Sequence, residues 1–453
     1  MADGVEAPLV VLLTNDVPTG TLLTQFSVLG VELRRVPEGA LPDASVAALN
    51  CGDIKIASVS PEQVDSATGL IERHVAAALA HRLIPECAKD VGLADALLCP
   101  KMLPPGADSG AIWLLDTQPG SVLKIGRAEV VELEIRFLDQ TRLFNADVFP
   151  RIWAHGTLRD ASWYLMDAGV PDSGEEAVFA SQHRDQLRPG WQDLLQEILD
   201  PMTEAYAASL TKSDCKVADY HYHRRIPELF QRSDFQETAA AFEIVSSADS
   251  LLYRPLRLQG VHLPPVRAML SSLEKRLPAS SVSHVTMIHG DLHLKNMVRR
   301  TSGNGFMFLD PRLKWDDMPV DRFGYGDPVY DLATLLHSVG GMTTILNRIA
   351  QEDPSRLVSF EAQGAAWEVT LADELNGMIH EAAEVFVELG CACLPKETLG
   401  QTYETRLFVG AANATLGWLK YRDAVQSAHG WWAIFALGVT YLAIATGHLK
   451  IDA

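Results

Sequence analysis

His289-Gly290-Asp291-Leu292-His293-Leu294-Lys295-Asn296 follows the apolar run Val285-Thr286-Met287-Ile288 and leads into Met297-Val298. A loop of this length can place the Asp291 carboxylate at an acceptor and the Asn296 side-chain carbonyl on a metal together. Asp291 is therefore the candidate base and Asn296 a candidate metal ligand. Strand candidates at 297–299 and 306–309 flank the turn Thr301-Ser302-Gly303-Asn304-Gly305, so the hairpin folds back and brings Asp310 near Asn296. Two hard oxygen donors there suit Mg²⁺, with Asp310 as the second ligand.

Upstream, Lys124 sits inside the apolar strand candidate Val122-Leu123-Lys124-Ile125, where an unpaired ammonium is costly. On the helix expected over about 129–141, Val131, Glu134, Ile135 and Leu138 fall at i, i+3, i+4 and i+7. Glu134 thus shares the buried face and is the expected partner of Lys124, with Glu132 the fallback.

Composition narrows the partners. A formal charge of −20, with no cluster of Lys and Arg, excludes nucleic acid and leaves a small molecule or a protein. Six scattered cysteines, of which only Cys391 and Cys393 are close, match neither a zinc spacing nor a disulfide framework and suit a reduced cytoplasmic protein. The N-terminus lacks a basic region before its short apolar run at 8–13, so export is disfavoured. The uncharged segment 431–446 is shorter than the ~20 residues that span a bilayer and is expected as a buried core helix, with no membrane partner.

Read along the chain, strand, helix and strand candidates at 9–13, 22–29 and 31–36 form a βαβ-like rhythm, and a helix is expected over 61–83. Residues 94–125 read as a three-stranded antiparallel meander with turns at 104–110 and 118–120, followed by the helix and strands near 151–154 and 163–166. From Trp191 onward helical periodicity dominates, broken only by the hairpin. The expected division is 1–83, an α/β module and linker helix; 84–170, a β-rich nucleotide-binding lobe; and 171–453, a helical lobe with the catalytic loop.

The Lys strand, Glu helix, His-x-Asp loop and hairpin Asp, in this order, resemble the protein-kinase-like superfamily. The H-G-D-x-H-x-x-N form resembles its aminoglycoside phosphotransferase and choline kinase branch. Phe308-Leu309-Asp310-Pro311-Arg312 and Gly326-Asp327-Pro328-Val329-Tyr330-Asp331-Leu332-Ala333 resemble a sugar- and capsule-associated subgroup with D-P-R and G-D-x-x-Y-D-L-A. The resemblance implies an α+β, bilobal protein-kinase-like fold with a small N-terminal α/β extension. It implies that Asp291 is the catalytic base, that Asn296 and Asp310 bind Mg²⁺, and that Lys124, paired with Glu134, contacts ATP (or GTP) phosphates. His289 and Asp331 brace the loop, and Leu165-Met166-Asp167-Ala168 is the hinge receiving adenine, through Met166 and Ala168. The turn at 104–110 lacks the glycine pattern of protein kinases, and Lys295 replaces a glycine common before the asparagine.

Asp327 and Asp331, at the start of an expected helix, also suit caps or loop braces. In Tyr220-His221-Tyr222-His223-Arg224-Arg225, aromatics and cations interleave, and Arg224, Arg225 and Arg312 are candidate substrate contacts. The implied activity is transfer of a γ-phosphoryl group to a hydroxyl of a sugar or sugar-like alcohol. The alternatives are a kinase-like regulator without turnover, or an aminoglycoside- or choline-type kinase whose cationic substrate is selected by Asp373, Glu374, Glu381, Glu384 and Glu388.

Overall fold

The computed structural model describes residues 9–13, 31–35, 53–54, 101–103, 109–115 and 120–451, less 145–147, 159–160, 181–182, 214–215, 245–247, 302–304, 314–322, 352 and 364–365. The helices expected at 22–29 and 61–83, the strand candidate 97–99, most of the turn at 104–110, and Cys51, Cys87, Cys99 and Cys215 lie outside these residues. The chain divides into two compact units, one comprising Met1–Asp139, Pro150–Gly169 and Arg300–Gly303, the other Gln140–Phe149, Val170–Arg299 and Asn304–Ala453.

In the first unit, β1 (Leu9–Leu13) pairs in parallel with both β2 (Val31–Arg35) and β3 (Asp53–Ile54). Strands β4 (Lys101–Leu103), β5 (Ser109–Leu115), β6 (Ser121–Arg127), β7 (Ile152–Leu158) and β8 (Ala161–Asp167) form one antiparallel sheet in the order β4-β5-β6-β8-β7. Helix α1 (Ala128–Thr141) follows β6 directly and buries Val131, Ile135 and Leu138 along the stripe that their spacing defines. Met166 and Ala168 are both buried; the Ala168 N–H donates to the Gly120 carbonyl at 3.1 Å, and its carbonyl accepts from the Thr301 N–H at 3.1 Å.

The second unit is helical around a few short sheets. Helix α2 (Trp191–Ser209) buries Trp191, Leu195, Met202 and Tyr206. A four-stranded sheet, β9 (Leu256–Leu258), β10 (Val261–Leu263), β15 (Val358–Gln363) and β16 (Ala366–Leu371), runs in the order β10-β9-β16-β15, and corrects the expectation that only one hairpin interrupts the helices. Its Gln259-Gly260 turn has φ of 51° and 76°, the positive pair that lets a two-residue connection follow the strand twist. Between these pairs lie β11 (His284–Met287), β12 (Met297–Arg300), β13 (Phe306–Phe308) and β14 (Tyr325–Gly326); β12 and β13 form the hairpin, with Met297 opposite Phe308.

Among the further helices of the unit are α3 (Pro328–His337), α4 (Asp373–Cys393), α5 (Tyr403–Leu416) and α6 (Ala428–Ala445). Asp327 caps α3 by accepting the Val329 N–H at 3.1 Å, with Pro328 in the first turn where its missing donor costs nothing. Its other oxygen takes the Tyr222 hydroxyl at 2.7 Å and the Arg406 guanidinium at 2.5 Å. Arg406, on α5, also donates to the carbonyls of Thr398 and Leu399, so this charge is both paired and hydrogen-bonded. Helices α3 and α5 cross closely: a Cβ at Gly410 would lie 2.5 Å from that of Ala333.

Helix α6 is long and apolar enough to cross a membrane by composition, but 83% of it is buried inside the protein. Trp431 and Trp432 are fully buried, and their indole nitrogens have no hydrogen-bond partner among the described residues. Burying about 150–250 Å² per indole contributes about 4–6 kcal/mol, more than the roughly 1–3 kcal/mol lost with each unmade bond. Packing therefore wins, and the helix is core.

Candidate active site

In the first unit, Lys124 and Glu134 meet inside the protein, Nζ to Oε1 at 2.8 Å, each with about one-twentieth of its surface exposed. The register of β6 against β8 sets Tyr164 opposite Lys124, and the Tyr164 hydroxyl donates to the other Glu134 oxygen at 2.9 Å. Both carboxylate oxygens are thus engaged, which offsets the cost of burying the pair. Glu132 is exposed and accepts from Ser162 at 3.3 Å.

In the second unit, the loop after β11 is held through its own backbone. The Asp331 carboxylate accepts the His289 N–H at 2.8 Å and the Gly290 N–H at 2.7 Å, and Tyr206 on α2 donates its hydroxyl at 2.8 Å. Thr334 accepts the Leu292 N–H at 3.0 Å, and Ser338 the Leu294 N–H at 3.2 Å. Asp331 and Thr334 on α3 and Ser338, the residue after its last turn, recur at i, i+3 and i+7, so one polar stripe along a buried helix receives four amides of the loop. Gly290 has φ +78°, a left-handed conformation that a side chain would strain.

His289 is fully buried; its Nε2–H donates to the Leu309 carbonyl at 2.8 Å and its Nδ1 accepts the Asp291 N–H at 3.3 Å. These partners require the neutral ring, and burial, the largest influence, pushes its pKa down to about 4. Burial pushes the Asp331 carboxyl up to about 6, against the amide and tyrosine bonds that favour its ionised form.

The loop tip carries Asp291, half-buried. Asn296 donates its side-chain N–H to the Asp291 carbonyl at 3.0 Å, so its Oδ1 is the atom of this side chain with the chemistry to meet a cation. The Asn296 carbonyl accepts the Leu309 N–H at 2.8 Å, tying the end of β13 to the loop and bringing Asp310 beside it. Asp310 is exposed at φ +56°, the left-handed region that Asp enters more readily than most non-glycine residues. Asn296 Oδ1 and the Asp310 carboxylate fit Mg²⁺, which prefers a few protein oxygens and completes its shell with water and phosphate. Among the described residues, no group of three or more His, Cys, Asp and Glu could hold a metal without such help.

Arg224 turns outward, paired with Glu228 at 2.8 Å. Arg225 turns inward over the Tyr330 ring, 5.6 Å from its centroid. The Arg312 backbone N–H donates to the His289 carbonyl at 2.7 Å. Asp373, Glu374, Glu381, Glu384 and Glu388 are exposed on α4.

The model of the phosphotransferase enzyme family matches residues 101–367, more than half of the chain. The chain belongs to this family. No curated protein matches it. Similar solved structures include glucosamine kinase (11% identity, covering 72% of this chain and 74% of that one, TM-score 0.40). Another is aminoglycoside phosphotransferase APH(3'')-Id from Streptomyces rimosus (18%, 72% and 95%, 0.33). A third is a thermostable mutant of aminoglycoside phosphotransferase APH(4)-Ia in ternary complex with AMP-PNP and hygromycin B (12%, 79% and 97%, 0.36).

Tyr206, Tyr164, Thr334 and Ser338 of this phosphotransferase escape a motif reading. Thr334 and Ser338 had a signal in the i, i+3, i+7 stripe; Tyr164 and Tyr206 depend on register and tertiary packing. An Asp331→Asn chain offers the loop amides one acceptor and one competing donor. It should unfold in urea with a stability lower by about 3 kcal/mol, because bonds to a charged group contribute about 1.5–3 kcal/mol each. A loss below about 1 kcal/mol would contradict this assignment.

Burial, followed by the neighbouring His293, pushes His337 down to about 4 from 6.5. The unfolded chain therefore binds more protons between these values, so the stability contributed by neutral His337 is intact above 6.5 and lost as pH falls toward 4. His289 acts in the same sense, while Asp331, raised to about 6, gains stability as pH falls through that value. Comparing wild type with His337→Asn isolates one group: the stability gap between them should shrink by about 1.4 kcal/mol per pH unit across this window. A gap independent of pH would show that His337 titrates normally.

Proposed function

We propose that this phosphotransferase moves the γ-phosphoryl group of ATP, or GTP, to a hydroxyl of a sugar or sugar-like alcohol. The observation that carries the reading is the tie from the Leu309 N–H to the Asn296 carbonyl, which gathers Asp291, Asn296 and Asp310 at one loop. Family membership and the order of these residues along the chain support it.

Asp291 accepts the proton of the acceptor hydroxyl as its oxygen forms the new bond to the γ-phosphorus. The bond from that phosphorus to the β-bridging oxygen breaks, and the nucleoside diphosphate leaves with the electron pair. Asn296 and Asp310 would hold Mg²⁺, which would supply positive charge to the phosphate oxygens. Lys124 offers its ammonium to the nucleotide phosphates while Glu134 and Tyr164 fix its position. His289, neutral and locked between Leu309 and Asp291, orients the loop without taking part in proton transfer. Arg224, engaged with Glu228, has no part in this reading.

ADP release measured across a set of alcohols should find turnover that falls by a factor of about 10²–10⁴ in Asp291→Asn, the range general-base catalysis spans. Nucleotide binding should persist in that variant. Equal turnover in both proteins would remove Asp291 as the base; nucleotide binding with no turnover on any alcohol would favour a regulatory protein.

A further inference from the structure

Within the second unit, the short helix Ser173–Val178 meets the catalytic loop through its only glycine. A Cβ added at Gly174 would fall on the carbonyl oxygens of Leu294 and Met297, nearer than a side-chain carbon approaches an oxygen, and would lie 3.0 Å from the Met297 Cβ. Leu294 and Met297 flank Asn296, which closes the 3₁₀ turn Leu294–Asn296 just before β12. The helix is also fastened to that strand: the Ser173 hydroxyl accepts the Arg299 N–H at 2.7 Å and donates to the Val170 carbonyl at 2.5 Å. At its other end the Val178 carbonyl accepts the Arg188 N–H at 2.9 Å, and the Arg188 guanidinium donates to the Glu176 carbonyl at 2.7 Å. Anchored at both ends, the helix has little freedom to retreat from the loop.

We propose that Gly174 is a positioning residue that makes the metal site selective for Mg²⁺ over a larger divalent ion. Its missing side chain lets the backbone on both sides of Asn296 seat directly on the helix, and that seat sets where the Asn296 side chain reaches. The proposal rests on the reading of Asn296 as a metal ligand given above and adds what fixes that ligand in place.

The hydrogen bonds of Asn296 tie it only to the loop and the hairpin. Its own N–H donates to the His293 carbonyl at 2.9 Å, its carbonyl accepts the Leu309 N–H at 2.8 Å, and its side-chain amide donates to the Asp291 carbonyl at 3.0 Å. The Gly174 contact adds packing against a separate, anchored element. Such precision matters most to a small ion. Mg²⁺ demands near-octahedral oxygens at about 2.0–2.1 Å, whereas Ca²⁺ accepts roughly six to eight at about 2.3–2.6 Å in variable geometry. Displacing one ligand by a few tenths of an ångström therefore weakens Mg²⁺ more than Ca²⁺. Local propensity argues against glycine here, since alanine is the better helix former, so the close approach is the compensating gain.

The test is thermal unfolding of the full chain at a fixed AMP-PNP concentration, titrated with Mg²⁺ or, separately, with Ca²⁺, and it works whatever the acceptor is. In Gly174→Ala the Mg²⁺ concentration that gives half of the nucleotide-dependent rise in Tm should increase about tenfold to a hundredfold, the range for residues that support a metal ligand. The Ca²⁺ value should increase by at most about threefold. Ser173→Ala, which removes one neutral hydrogen bond to β12, should raise the Mg²⁺ value about fivefold and keeps the test decisive if Gly174→Ala folds poorly. Gly377→Ala on α4 controls for helix propensity: its added methyl meets nothing within 4 Å, and both values should match wild type. An unchanged Mg²⁺ requirement in folded Gly174→Ala, or in Ser173→Ala where that variant stands in for it, would overturn the proposal, as would equal losses for the two ions. A wild-type AMP-PNP shift that ignores Mg²⁺ strikes the metal reading itself, and this inference with it.

Discussion

A single buried carboxylate sets the geometry on which the site depends. Asp331 accepts two successive backbone N–H groups of the loop, His289 and Gly290, and so fixes the direction in which Asp291 leaves the strand. Charged acceptors make shorter and stronger bonds than neutral ones, and inside a protein an unmade amide bond is costly, so the loop has no cheaper arrangement. Thr334 and Ser338 extend the same grip to Leu292 and Leu294. The positive φ at Gly290 is one that glycine takes without strain and a side chain would not, so the residue suits the turn that the carboxylate holds.

Seen this way, the stretch from Gly326 to Ala333 is a set of separate physical requirements met in one turn and a half of helix. Gly326 leaves no room for a Cβ, which would press on Ile288 and lie 2.8 Å from His221. Asp327 caps the helix and neutralises Arg406; Pro328 starts it; Tyr330 carries Arg225 on its face; Asp331 holds the loop; Ala333 lets the helix containing Gly410 come close. Substituting any one of these residues disturbs a different contact.

The loop, the hairpin and the Lys124–Glu134 pairing were legible because each rests on local spacing: five residues from Asp291 to Asn296, a tight turn, and a helical repeat that selects Glu134 over Glu132. The buried helix at the C-terminus was legible from its length and lack of charge. The four-stranded sheet was missed although Leu256-Arg257-Leu258 and Val261-His262-Leu263 alternate around Gln259-Gly260, because such short strands are outweighed by the helical periodicity around them. Tyr164 and Tyr206 could not be read from sequence, since the residues they serve are 30 and 125 positions away. The inward turn of Arg225 and the outward turn of Arg224 were equally hidden, because a π-helical turn shifts the facing of both.

Because the account depends on the loop amides being held by side chains of one helix, their hydrogen exchange tests it most directly. In the intact protein, the N–H groups of His289, Gly290, Leu292 and Leu294 should exchange only through global unfolding, as slowly as the most protected core amides. Exchange of these four at the rate of an exposed loop would contradict the account, because it would mean that Asp331, Thr334 and Ser338 do not hold the loop in solution.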